Sequence, residues 1–190
     1  MLFSSIVFLF TFLPIVLILY YVLPRQFKNP VLLLASLLFY AWGEPIYLFL
    51  MMFSILFNYI SGLDIARNLG NKRAARKSLI FNVVVNLCVL GFFKYEGFVL
   101  NSLNAVLPVE IPFQEVALPV GISFYTFQIL SYIIDVYWGN VPVQKNLMDF
   151  ALYVTMFPQL IAGPIVKYAE IDEQLHVREE NWGRFGEGVM

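Results

Sequence analysis

Residues 3–23 form an apolar run twenty-one residues long, and a helix built on it would reach about 30 Å, the thickness of a bilayer's hydrocarbon core. Comparable runs recur at 31–42, 46–63, 78–93 and 118–138. A chain with several such runs has few ways to fold. In lipid every backbone N–H and C=O must be satisfied within the segment, so each run has to be a helix. The composition agrees: 60% of the residues are apolar and 13% charged, where soluble chains carry about 25% charged residues. The expected fold class is all-α, a polytopic membrane helical bundle. The net charge of −1 and the clustering of basic residues in one short loop, where a nucleic-acid binder would carry a basic stripe on a folded domain, argue against a nucleic-acid partner. The single cysteine, Cys88, lies within an apolar run, which rules out an intrachain disulfide.

No basic stretch precedes residues 3–23 and no small-residue cleavage site follows, so a span is favoured over a cleaved signal peptide. Pro14 near its middle removes one backbone hydrogen bond and predicts a kink. Residues 24–30 read as a linker. The runs 31–42 and 46–63 are separated by Gly43-Glu44-Pro45, and charge decides between one broken helix and two crossings. The loop 64–77 holds Arg67, Lys72, Arg73, Arg76 and Lys77, a cluster that favours the cytoplasmic side. Arg25 and Lys28 favour the same side, which requires two crossings between the loops. The N-terminus is then outside. The basic cluster itself is read as a topological signal with no binding function.

In the third run Met51, Ser54, Asn58 and Ser61 share a helix face and read as helix–helix glue. Asn82 and Asn86, four apart, give the fourth run a polar seam. Residues 94–117, with Pro108, Pro112, Glu96, Glu110 and Glu115, are a poor candidate for crossing and read as an outer loop with a surface helix near 98–106. In the fifth run Gly121, Phe124, Gln128, Ser131 and Asp135 fall three and four apart, on one face. Two readings of that stripe stand side by side: packing glue with an interfacial Asp beside Tyr137 and Trp138, or the lining of a substrate path. Residues 148–157 are too short to cross before Pro158, and Pro158, Gly163 and Pro164 bracket Gln159-Leu160-Ile161-Ala162. Such a break predicts a re-entrant segment over 148–164, since irregular backbone at membrane depth has to be buried or line a cavity. The other reading is a short helix on the cytoplasmic surface. From 168 to 190 the composition becomes polar, a cytoplasmic tail with the start of another helix capped by Asn181.

The stretch PVGISFYTFQILSYIIDVYWG resembles the signature of membrane-bound O-acyltransferases, in the branch that acylates extracellular polysaccharides. That branch includes alginate O-acetylase-like proteins and the D-alanine transfer proteins of teichoic acids. Trp42-Gly43-Glu44-Pro45, Asn58-Tyr59 and the run from Phe157 to Ile165 resemble the same branch in the same order. The resemblance implies that the chain is the N-terminal part, less than half, of a larger fold of this family, truncated at Met190. It implies transfer of an acyl group, acetyl in the first place, from an acyl-CoA or acyl carrier to hydroxyls of an extracellular polysaccharide. It also implies a multi-pass location in the cytoplasmic (inner) membrane and contact with membrane lipid and other polysaccharide-modification proteins. No bound cofactor or metal is expected.

The family's general base is a histidine in a later hydrophobic segment, an imidazole whose pKa suits proton removal from an alcohol. The one histidine here, His176, lies in the charged stretch IDEQLHVREE, and no catalytic position of the family falls on it. No catalytic residue is therefore expected within the chain. The residues expected to line a substrate tunnel are Gln128, Ser131, Asp135, Pro158, Gln159 and Gly163. A non-enzymatic remnant or a channel-like subunit is the alternative for the whole.

Overall fold

A computed structural model describes residues 5–106, 112, 117–162 and 166–176. Eight α-helices follow one another, with no strand among the described residues: α1 (Leu13–Val22), α2 (Arg25–Gly43), α3 (Tyr47–Arg67), α4 (Lys72–Val106), α5 (Ile122–Trp138), α6 (Leu147–Thr155), α7 (Phe157–Ala162) and α8 (Tyr168–His176). The all-α class expected from the apolar runs holds. By length and composition α3 and α4 can each cross a membrane. Phe10, Ile18, Leu38, Phe49, Phe53 and Phe81 are all more than half exposed. Such surfaces on a soluble domain would aggregate; on a membrane protein they face lipid or neighbouring helices.

A π-helical turn, Phe8–Phe12, precedes α1, and the Leu13 N–H reaches the Phe8 carbonyl five residues back. Pro14 accounts for it. Its ring crowds the carbonyl four residues before it and it donates no N–H, so the helix widens by one residue just ahead of the proline. The linker expected over 24–30 is instead helical from Arg25, with Pro30 inside α2. Only Leu23 and Pro24 separate α1 from α2. Lys28, expected in a cytoplasmic loop, is buried, its Nζ 4.7 Å from the centre of the Tyr20 ring, so this cation closes the α1–α2 turn. A second difference concerns α4. The helix does not stop at Phe93 but runs through Lys94 and Glu96 to Val106, 35 residues or about 52 Å. The surface helix expected near 98–106 is its continuation.

α3 packs on α4 and α5, and α2 packs on α6. Between α3 and α4 lies a buried amide triad. Asn82 Nδ2 and Asn86 Nδ2 each donate to Asn58 Oδ1 at 2.8 Å, and Asn58 Nδ2 donates to Asn86 Oδ1 at 3.1 Å. The glue expected of Asn58 and the seam expected of Asn82 and Asn86 are one structure. Helices α3 and α5 are clipped at both ends: Tyr47 Oη donates to the Ala117 carbonyl and Tyr59 Oη to the Lys145 carbonyl, both at 2.6 Å. They therefore run parallel, with α4 packed antiparallel against both.

Candidate functional site

The junction of α5, α6 and α7 gathers most of the residues expected to line a tunnel, and the break between α6 and α7 creates it. Phe157 precedes a proline and is biased away from helical backbone. α6 stops two residues earlier, at Thr155, and Met156 at φ −52°, ψ 113° breaks the chain before α7 begins. Pro158 then falls in the first turn of α7, where a missing N–H costs nothing. The Phe157 N–H, which in an unbroken helix would satisfy the Tyr153 carbonyl, donates instead to Ser36 Oγ at 3.3 Å. The orphaned Tyr153 carbonyl accepts from Gln128 Nε2 at 2.9 Å. A side chain from the middle of α5 thus closes the C-terminal end of α6.

The same amide nitrogen is 3.4 Å from Gln159 Oε1, which joins the two glutamines singled out in the sequence. Ser131 Oγ donates to the Gln128 carbonyl at 2.8 Å, and Tyr153 Oη donates to that carbonyl at 3.4 Å and to the Val166 carbonyl at 3.2 Å. Gln128 is buried while Gln159 and Ser131 are half-buried. Asp135 stands apart, near the end of α5, where its carboxylate accepts from Asn140 Nδ2 at 3.0 Å. Pro158 is exposed and starts a helix. Gly163 lies outside the described residues. Of the segment 148–164 read as re-entrant, the part described, through Ala162, is two short helices and their break, and α6 is buried along most of its length.

Gly121 fixes how closely α7 approaches. It has φ +77°, and a Cβ on it would lie 2.9 Å from the Leu160 carbonyl, so any side chain would meet both backbone strain and a backbone atom. Gly121 therefore sets the contact between α5 and α7 at the mouth of the junction. Beside it, the turn that carries Glu44 is tied to the start of the signature: Glu44 Oε2 accepts from the Val120 N–H at 3.2 Å. The phenolic oxygens of Tyr40 and Tyr125, both fully buried, have no hydrogen-bond partner among the described residues.

At the opposite end a second polar network was missed in the sequence. Gln144 joins three helices: its N–H donates to Tyr132 Oη, its Nε2 to Tyr168 Oη, and its Oε1 accepts from the Asn146 N–H, each at 2.9 Å. Tyr168 Oη donates to Asp172 Oδ1 at 2.7 Å; burial first, and then the Asp172 carboxylate, push the Tyr168 phenol above its ordinary value. Asn146 caps α6 by accepting from the Met148 N–H at 3.0 Å. Asp149 is buried and accepts from Asn146 Nδ2 at 2.7 Å and Asn29 Nδ2 at 2.8 Å. The signal was present: Asn146 and Asp149 are three apart just before an apolar run, the spacing of a capping pair.

None of these groups is a general base placed against a nucleophile, and no cluster of three or more metal-ligating side chains occurs among the described residues. What the junction offers is hydrogen-bonding side chains and a hydroxyl around broken backbone, the furnishing of a wall.

No family model matches the chain, and no solved structure matches it. Curated relatives do. The chain is 47% identical over 192 residues to a Pseudomonas aeruginosa protein named probable alginate O-acetylase AlgI, covering 99% of this chain and 37% of that one. It is 47% identical over 193 residues to the Azotobacter vinelandii protein of the same name, 99% of this chain and 38% of that one. It is 36% identical over 203 residues to a Helicobacter pylori peptidoglycan O-acetyltransferase, 92% and 38%. The chain spans between a third and two fifths of the length of these relatives. With this likeness running along essentially the whole chain, from the Glu44 turn through Gln128 to the α6–α7 break, the chain belongs to the membrane-bound O-acyltransferase family, in its alginate O-acetylase-like branch.

Proposed function

We propose that this chain is the N-terminal part of a cytoplasmic-membrane O-acyltransferase that moves an acetyl group from a cytoplasmic acyl donor to hydroxyls of an extracellular polysaccharide. The observation that carries the reading is the 47% identity, over 99% of the chain, to proteins named as alginate O-acetylases. The chain crosses the membrane several times with its N-terminus outside, the basic loop between α3 and α4 marking the inner side. In the complete enzyme a histidine on a later segment removes the proton from the acceptor hydroxyl, which attacks the acyl carbonyl as the donor leaves. The residues of this chain bind and shape. Gln128, Ser131 and Gln159 form part of the wall of the path between donor and acceptor, and the α6–α7 break supplies the bend of that wall.

The test is made in cells expressing the complete gene, with ester-bound acetate on the exported polysaccharide as the readout and folded enzyme in the membrane as the divisor. Gln128→Leu removes the amide and leaves the Tyr153 carbonyl without a donor, so folded yield drops along with activity. A wall residue lowers activity per folded molecule as well, at least about ten-fold, the effect of one positioned polar contact. Ile129→Leu, one residue off the stripe, leaves that ratio unchanged. Equal ratios in the two variants would remove Gln128 from the path and leave it as the cap of α6 alone.

A further inference from the structure

We propose that the groove between the basic end of α4 and the end of α5 is a site for an anionic phospholipid. One acyl chain lies in the groove, and the phosphate-bearing head group is held by Arg73, Arg76 and Lys77. The groove has a volume of about 320 Å³ and is lined by Leu79, Ile80, Val83, Val84, Ile134 and Trp138. All six are apolar, and Ile80, Val84 and Trp138 are more than half exposed.

Charge and helical register choose the occupant. On α4, residues 73, 76, 77, 80, 83 and 84 are spaced by three, four and seven, so they share one face. That face is opposite the one carrying Asn82 and Asn86, which are buried against α3. Read from the start of α4, it is cationic for the first turns and apolar for the next two. Arg76 is about 6 Å along the axis from Ile80 and about 12 Å from Val84, the separation between a lipid's phosphate and the upper part of its acyl chain. Arg73, Arg76 and Lys77 are exposed. Asp64, the carboxylate nearest to them in sequence, is engaged elsewhere, accepting from Ser78 Oγ at 2.5 Å and from Asn68 Nδ2 at 3.1 Å, and Asp135, between the lining residues Ile134 and Trp138, accepts from Asn140 Nδ2 at 3.0 Å. The three cations are therefore available to a phosphate. Trp138, which lines the groove from α5, presents the amphipathic ring type that settles at head-group depth.

Trp138 also reports the site. In the 190-residue chain carrying Trp42→Phe and Trp182→Phe, reconstituted in phosphatidylcholine vesicles, Trp138 emission is titrated with phosphatidylglycerol or phosphatidylcholine brominated on the acyl chain. The expected result is preferential quenching by the brominated phosphatidylglycerol, with a relative binding constant at least about five-fold above that of phosphatidylcholine, the gain from one basic contact. Arg73→Gln/Arg76→Gln/Lys77→Gln, which keeps Arg67 and Lys72 for orientation, brings the two lipids to within about two-fold of parity while quenching persists. Arg25→Gln, an exposed cation outside the groove, keeps the preference and shows that the triple variant does more than lower the net charge. Equal quenching by both lipids in the parent, or an equal loss in Arg25→Gln, overturns head-group recognition. Absence of quenching by either lipid overturns the site altogether and means that polypeptide covers the groove.

Discussion

Replacing Asn58 with leucine removes three hydrogen bonds between α3 and α4 at one stroke: those from Asn82 and Asn86 to its oxygen, and the one it gives to Asn86. Interhelical hydrogen bonds in membrane proteins average about 0.6 kcal/mol each and reach roughly 1.7, so the loss lies between about 2 and 5 kcal/mol. The upper part of the range is expected. Asn58 and Asn82 are completely buried, and the amide nitrogen of Asn82 is left without its Asn58 acceptor. Burying an unsatisfied polar group costs more than making the bond gains. Asn86 fares better, because it still reaches the Asn82 carbonyl at 2.9 Å and Oδ1 at 3.1 Å. Reversible unfolding in mixed detergent micelles, followed by steric trapping or circular dichroism, measures the change. Asn82→Leu in the same background should cost less than Asn58→Leu, since it removes one bond to Asn58 and not three. The triple variant with leucine at 58, 82 and 86 should recover much of the loss, because no amide is left stranded. If Asn58→Leu costs no more than Phe53→Leu on the exposed face of α3, the triad contributes nothing and the account of the α3–α4 contact is wrong.

Gly121→Ala and Gly139→Ala separate backbone strain from close approach: both glycines have φ near +77°, but only Gly121 has a neighbour, the Leu160 carbonyl. Gly139→Ala should lose about 1 kcal/mol and Gly121→Ala clearly more in the same unfolding assay, and equal losses would dismiss the contact with α7. With Cys88→Ser as background, a cysteine at position 72 should resist an impermeant thiol reagent on intact cells and one at position 110 should react. Labelling of position 72 from outside would reverse the orientation. The 190-residue chain alone, supplied with an acyl donor and polysaccharide, should show no ester formation above background. Turnover that disappears in His176→Ala would give that histidine the role denied to it here.

The apolar runs were enough to give the all-α class, because in lipid the backbone leaves no alternative. What the residue order did not disclose was the state of the chain at its punctuation. Pro24 and Pro30 with Arg25 and Lys28 between them read as a cytoplasmic loop. The folded chain keeps Pro30 within α2, with Lys28 over the Tyr20 ring and Asn29 reaching Asp149, 120 residues away. Partners at that distance leave no periodic trace. Lys94 and Glu96 likewise read as the end of a span, whereas a helix can continue past the hydrocarbon boundary once its own backbone bonds are made. On the stripe of α5 the spacing brought Gln128 and Ser131 to one place, and it could not show that Asp135 would serve the turn at Asn140.

The position of Gln128 follows from a backbone argument that joins sequence, fold and site. A break such as that at Met156 leaves carbonyls without helical donors, and inside a membrane protein each has to find one. Ser36 on α2 takes the Phe157 N–H, and Gln128 on α5 serves the Tyr153 carbonyl. Both partners are imported from other helices, so α2, α5, α6 and α7 are fixed relative to one another at the point where the backbone is irregular. An unbroken α6 would need neither side chain and would offer no bend. The break therefore places Gln128 and Gln159 together, and Gly121, by admitting the Leu160 carbonyl to 2.9 Å of where a Cβ would lie, keeps α7 close enough for the two amides to meet. The meeting of the two amides is thus a consequence of Pro158 and its neighbours, with Gln128 meeting a structural need at the break.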